Sequence, residues 1–120
     1  MEKVVWNSTI RVINGPQIAL SGSLDVEAYD KFTVTLAAGK KTTVALTPAG
    51  AGLQCLVINP KVRDAKLTYD NAGTPIALDA PHVLVGDAVN LAGSPASLDF
   101  DNATAADVEL EILVGRDATP

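Results

Sequence analysis

The 120-residue chain holds one cysteine, one histidine and one tryptophan, and aromatic residues make up 4% of it. Each scarcity removes a class of function. With Cys55 alone, no intramolecular disulfide can form, and the strand-like run "GLQCLVIN" around it predicts a buried thiol, whereas an activated thiolate needs an electropositive, partly open site. His82 as sole histidine rules out two-histidine metal sites and leaves any Ser-His-Asp arrangement a single possible base. It follows Pro81 at the head of a strand, and no nucleophile elbow of the GxSxG type accompanies it, so a structural histidine is expected. Basic residues are also few: 9 Lys and Arg against 14 Asp and Glu give a formal charge of −5 and a pI near 4.6. Phosphate backbones are bound by Lys and Arg displacing counterions, so nucleic acid is not expected as a partner. The longest apolar runs, "ILVG" and "CLVI", are strand-sized and far below the roughly 18 residues that span a bilayer, so a soluble protein is expected. The opening "MEKVVWNSTI" has neither the basic nor the apolar region of a signal peptide, so signal-dependent export is not expected. No phosphate-loop spacing occurs among the glycines of "TPAGAGLQ".

What the chain does contain reads as one domain over residues 1–120. Hydrophobic residues are 48% and charged residues 19%, the balance of a chain that folds around one core. Turn signals recur every ten to fifteen residues: "NGP" at 14, "AAGKK" at 37, "TPAGAG" at 47, "NP" at 59, "DNAGTP" at 70, "APH" at 80, "LAGSP" at 91 and "DNATAA" at 101. The runs between them alternate or are wholly apolar. Phe32, Val34 and Leu36 alternate with threonines and lead through "AAGKK", read as a hairpin, to Val44 and Leu46. "LQCLVI" at 53–58 is apolar on both faces and predicts a central strand. Leu67 and Tyr69, Ile76 and Leu78, "HVLV" at 82–85, and Leu98 and Phe100 continue the series. In "DVELEILVGRD", Val108, Leu110, Ile112 and Val114 share one face and Glu109, Glu111 and Leu113 the other. A helical reading of the same stretch would put Glu109 on the apolar stripe, so the strand reading prevails. Eight or nine short strands without a βαβ rhythm predict an all-β, antiparallel two-layer β-sandwich of jelly-roll type. Residues 1–7 and 115–120 lie outside the clearest alternation and are candidate arms.

Candidate chemistry is sparse. Glu109 and Glu111, two apart on a strand, have Cα atoms about 6.5–7 Å apart, a spacing that could bracket a glycosidic bond. A glycosidase pair, however, faces a cleft from separate elements, and these two alternate with the core stripe, so a solvated face is expected. The segment "LDFDNATAAD" gathers Asp99, Asp101, Asn102 and Asp107, all hard oxygen donors, without the spacing of a calcium loop; side-chain-capped turns explain it more simply. No catalytic residue, cofactor or metal is expected, and the chain reads as a binding or structural module.

The succession "SGSLDVEAYDKFTVTLAAGKKTTVALTPAGAGLQCLVINP", "LDAPHVLVGDAV" and "SLDFDNATAADVELEILVGRDA" resembles small all-β virion-associated proteins of tailed bacteriophages, in which a "YDKF" hairpin leads to an apolar strand and the chain closes on "ILVGRD". The resemblance runs over about residues 20 to 118. It implies a structural virion protein assembled in the bacterial cytoplasm, most simply a capsid cement or decoration protein bound to neighbouring major capsid subunits, with a tail or neck accessory or a carbohydrate-binding host-recognition module as the alternative. A reducing cytoplasm suits a chain with one thiol. The partners it implies are further copies of the chain, as a trimer, and the major capsid protein. Val5, Trp6, Leu113 and Arg116 are the candidate interface residues, since aromatic and outward apolar side chains are what a symmetric contact buries.

Overall fold

A computed structural model of the chain describes residues 2–46, 52–71, 74–86, 88–89 and 97–117. Among them are ten strands: β1 (Glu2–Arg11), β2 (Gln17–Val26), β3 (Ala28–Leu36), β4 (Lys41–Ala45), β5 (Gly52–Pro60), β6 (Asp64–Asn71), β7 (Thr74–Leu78), β8 (His82–Val85), β9 (Ser97–Asn102) and β10 (Val108–Asp117). One four-stranded sheet runs β3-β10-β5-β8, the other β4-β9-β6-β7, and β1 pairs with β2 as a separate ribbon. All pairings are antiparallel. Taken in chain order from β3, the eight strands of the two sheets alternate between layers except at the β6–β7 hairpin, the double Greek-key order of a jelly roll. The chain is an all-β, jelly-roll-like sandwich carrying an additional N-terminal hairpin.

The alternation in sequence is what builds the two layers. Val108, Leu110, Ile112 and Val114 are all buried, and they meet Leu36, Leu56 and Ile58 of the same sheet and Leu67, Tyr69, Leu98 and Phe100 of the other. Phe32 and Val34 pack at the margin of this core. β5 lies between β10 and β8, as the doubly apolar "LQCLVI" requires. Burial of each large aliphatic or aromatic side chain contributes about 1.5–3 kcal/mol of transfer free energy.

Three sequence expectations change. There are ten strands among the described residues instead of eight or nine, because the first two were hidden in a stretch with solvent on both sides. "AAGKK" is a tight turn, with Lys40 N–H donating to Ala37 C=O at 3.1 Å and Gly39 at φ 69°. It joins strands in different sheets, however, so it is a corner of the sandwich and not a hairpin. The candidate arms are drawn into strands: residues 2–7 belong to β1, and 115–117 belong to β10, which is paired on both sides. Residues 118–120 lie outside the described part.

Candidate functional site

The hairpin is the least ordinary part of the molecule. Its two ten-residue strands pair in full register from Glu2↔Val26 to Arg11↔Gln17. The loop closes with Val12 N–H donating to Pro16 C=O and Gly15 N–H to Val12 C=O, both at 2.9 Å. Asn14 there takes φ 60°, a left-handed conformation that Asn tolerates better than most residues. Because paired residues point the same way, Val4, Trp6 and Ile10 share one face with Leu24, Leu20 and Ile18. The opposite face carries Asn7, Thr9 and Arg11 with Gln17, Ser21 and Ser23, plus the Lys3–Asp25 ion pair at 3.1 Å. At its base the apolar face ends on Val26, which is buried at 1% exposure and lies over Gly115 and Cys55. Towards the tip the same face is bare: Ile10 and Ile18 are each more than 60% exposed, as is Val12 in the loop. A two-stranded ribbon without a second layer is marginally stable in water.

A second apolar band crosses the outside of the first sheet. Register places Lys31, Leu113, Val57 and Val83 in one row across β3, β10, β5 and β8. Val83 is 57% exposed and Tyr29, beside the row, 54%. Where the band meets the hairpin, Lys3, Val4, Val5, Tyr29 and Leu113 line a depression of about 310 Å³.

Of the candidate interface residues, Val5 and Leu113 are therefore brought together from opposite ends of the chain. Trp6 stands on the other face of β1, laid over Gly22. Arg116 is apart from both: its guanidinium pairs with Asp30, its side chain is only 16% exposed, and its carbonyl accepts the Glu27 N–H at 3.1 Å. It fastens the base of the hairpin. Ile10, Ile18 and Leu20 were missed by sequence reasoning, although their alternation about "NGP" carried the signal.

The remaining polar groups are engaged in structure. Glu109 and Glu111 lie on the outer face of β10, pairing with Lys61 and Lys31, both at 3.4 Å, and Glu111 also accepts from Asn59 Nδ2 at 3.3 Å. His82 Nδ1 is 2.9 Å from the Tyr69 hydroxyl, and burial pushes the Tyr69 phenol above its ordinary value. Cys55 is fully buried, and desolvation raises its thiol likewise. In the acidic segment, Asp99 accepts from the Thr43 hydroxyl at 2.6 Å, and Asp107 accepts the Ala38 N–H at 2.9 Å. Asn102, the one buried polar residue among those described, donates to the carbonyls of Leu36 and Ala106 and accepts from Thr104. No group of three or more His, Cys, Asp or Glu among the described residues could hold a metal ion. The outer face of the second sheet has a groove of about 480 Å³ beside Lys41, Asp70, Asp99 and Asp101. Its one aromatic, Phe100, is 1% exposed and offers no stacking platform. No helix is long and apolar enough to cross a membrane.

No protein-family model matches the chain, and no curated protein does. Among solved structures, the chain is similar to the Cupin_2 domain of an XRE family transcriptional regulator from Enterobacter cloacae, at 18% identity and a TM-score of 0.49, covering 72% of this chain and 80% of that one. It is also similar to a de novo designed double-stranded β-helix, at 16% identity and a TM-score of 0.46, covering 71% and 97%. At these scores the jelly-roll assignment stands on the strand order itself.

Proposed function

We propose that the protein is a non-catalytic structural component of a tailed-bacteriophage virion, of the capsid cement type, which acts as a homo-oligomer bound across neighbouring major capsid subunits. The observation that carries this reading is the projecting hairpin with a bare apolar face on a jelly roll whose interior is filled by side chains. A filled core leaves the exterior as the working surface. On that exterior the exposed large apolar residues, Val62 excepted, are gathered on the hairpin and the Leu113 band, whereas scattered single residues would need no partner to explain them. The phage assignment itself rests on the sequence resemblance over about residues 20 to 118, and the geometry supports it only as a rigid module with sticky outer faces.

Co-sedimentation of the purified protein with expanded phage heads tests the proposal. Pelleting that saturates at a fixed ratio to capsid subunits is the expected result. A protein that stays in the supernatant with heads, at concentrations where it is fully folded, would overturn the cement role.

A further inference from the structure

We infer that the β1–β2 hairpin is a self-association arm whose apolar face packs against the same face of further copies of this chain. The inference deepens the virion reading, on which it rests only for what the assembled copies bind. Three observations on the hairpin converge on a second copy as the occupant.

The first is continuity. The face that is buried through Val26 at its base continues outward through Leu24, Gly22, Leu20 and Ile18, paired in turn with Val4, Trp6, Ser8 and Ile10, and its one charged residue is Glu2 beside Val26. Apart from Glu2 and Ser8 it is apolar along its length, yet Ile10 and Ile18 are 62% and 63% exposed. The layer that would complete the sandwich is absent from the chain's own described residues.

The second is charge. Glu2, Lys3, Arg11 and Asp25 are the charged residues between 2 and 26, two acids and two bases, so the hairpin is neutral while the rest of the chain holds the whole formal −5. Copies carrying like charge approach at least cost through the segment that carries no net charge. A strongly basic partner would instead be drawn to the acidic body.

The third is size. Ten residues at about 3.4 Å each, over two strands about 4.8 Å apart, make a face about 34 Å by 10 Å, or about 340 Å² before side-chain relief. Each copy in a symmetric assembly contributes one such face, so two copies bury at most about 700 Å² in total, the size of a crystal-packing contact, whereas three reach about 1,000 Å², the threshold of a specific interface, which favours a trimer over a dimer. Closed cyclic symmetry then turns the apolar faces inward and the Lys3–Asp25 face outward.

The decisive experiment is the solution mass of the full chain by light scattering and sedimentation velocity, for the wild type and two double variants. In Ile10→Lys/Ile18→Lys the charges enter a cross-strand pair on the apolar face; in Thr9→Lys/Ala19→Lys they enter the next pair, on the polar face. The wild type and the polar-face variant are expected to be multimers at about 10 μM. The apolar-face variant is expected to be monomeric, with association weakened at least about 100-fold by two buried, unpaired ammonium groups. A monomeric wild type at about 100 μM, or equal masses for the two variants, would overturn the inference. If the apolar-face variant fails to fold, a dilution series of the wild type decides: Trp6, the sole tryptophan, lies on the associating face, so its emission should shift to the red as the multimer dissociates. Emission that stays constant through dissociation would equally refute the assignment. A multimer that ignores phage heads removes the shell-binding reading and keeps this one, and a monomer that pellets with heads does the reverse.

Discussion

The indole of Trp6 lies across the backbone of Gly22, its register partner at the middle of the hairpin, so closely that a Cβ at position 22 would meet the ring at 2.6 Å. The glycine leaves the room into which the indole settles. Gly22→Val would push the ring off the face. Trp6 emission is expected to move to the red and association to weaken about tenfold, equivalent to about 1.4 kcal/mol. The melting of the β3–β10 sandwich should stay put, because the hairpin adds no side chain to the core between the sheets and its one fully buried residue, Val26, lies against the first sheet at Gly115. Fluorescence, solution mass and calorimetry on one variant check all three.

Asn102 ties the end of β9 to the end of β3 and to the β9–β10 turn through its bonds to Leu36, Ala106 and Thr104. Asn102→Ala removes the side-chain partner of the Leu36 carbonyl and of the Thr104 amide, while the Ala106 carbonyl keeps the Thr104 hydroxyl, and is expected to cost about 2–3 kcal/mol in urea unfolding. Asn102→Asp should cost more at neutral pH, since a carboxylate would face the Leu36 and Ala106 oxygens where the amide now donates.

Glu109 and Glu111 hold partly exposed ion pairs with Lys61 and Lys31. Replacing both by Gln should change stability by less than about 1 kcal/mol and leave co-sedimentation with heads unaltered. A loss of head binding in the double variant, with the fold intact, would place this pair on the contact surface and overturn its reading as a solvated face.

If the outer band contacts the shell, Val83→Asp and Leu113→Asp should each weaken pelleting with heads about tenfold or more, since each buries a carboxylate in an apolar contact. Both variants should retain the solution mass of the wild type. A fall in mass without a fall in head binding would transfer the band to the self-association surface.

Burial raises the Tyr69 phenol above 10.0 and the Cys55 thiol above 9.0. Below those ordinary values both groups are protonated whether folded or not, and their contribution to stability is flat. As pH rises through them the unfolded chain releases protons that the folded chain keeps, so stability falls. Urea midpoints measured from pH 8 to 11 should decline beyond about pH 9. The decline should be shallower in Cys55→Ala and in Tyr69→Phe, even though the latter starts lower for want of the hydroxyl bonded to His82.

The sandwich was legible wherever one side of a strand meets the core. In 108–114 and 97–102 every second residue is buried, and that alternation stands in the sequence. β5 was legible for a different reason: Cys55 is covered by Val26 from outside while Leu56 and Ile58 face inward, so both sides read as apolar. β1 and β2 are legible only beside their turn, where Ile10, Ile18 and Leu20 alternate about "NGP"; nearer the base, adjacent Val4, Val5 and Trp6 blur the period. The corner at 37–40 misled because a glycine turn has the same local chemistry whether the next strand stays in the sheet or crosses to the other layer. Among the site residues, Val5 and Leu113 meet only through the path of the hairpin base, which no local pattern encodes. Arg116 was drawn from the chain's end as an outward contact, whereas Asp30 holds it in place.

Between β2 and β3 stands a single residue, Glu27, and its amide is bound to Arg116 on β10. The arm thus has no slack at its root. Tension applied to the hairpin enters β3 directly and is shared along the β3–β10 ladder, so copies joined through their hairpins would transmit load from one jelly roll to the next like riveted plates, with little of the give of beads on a tether.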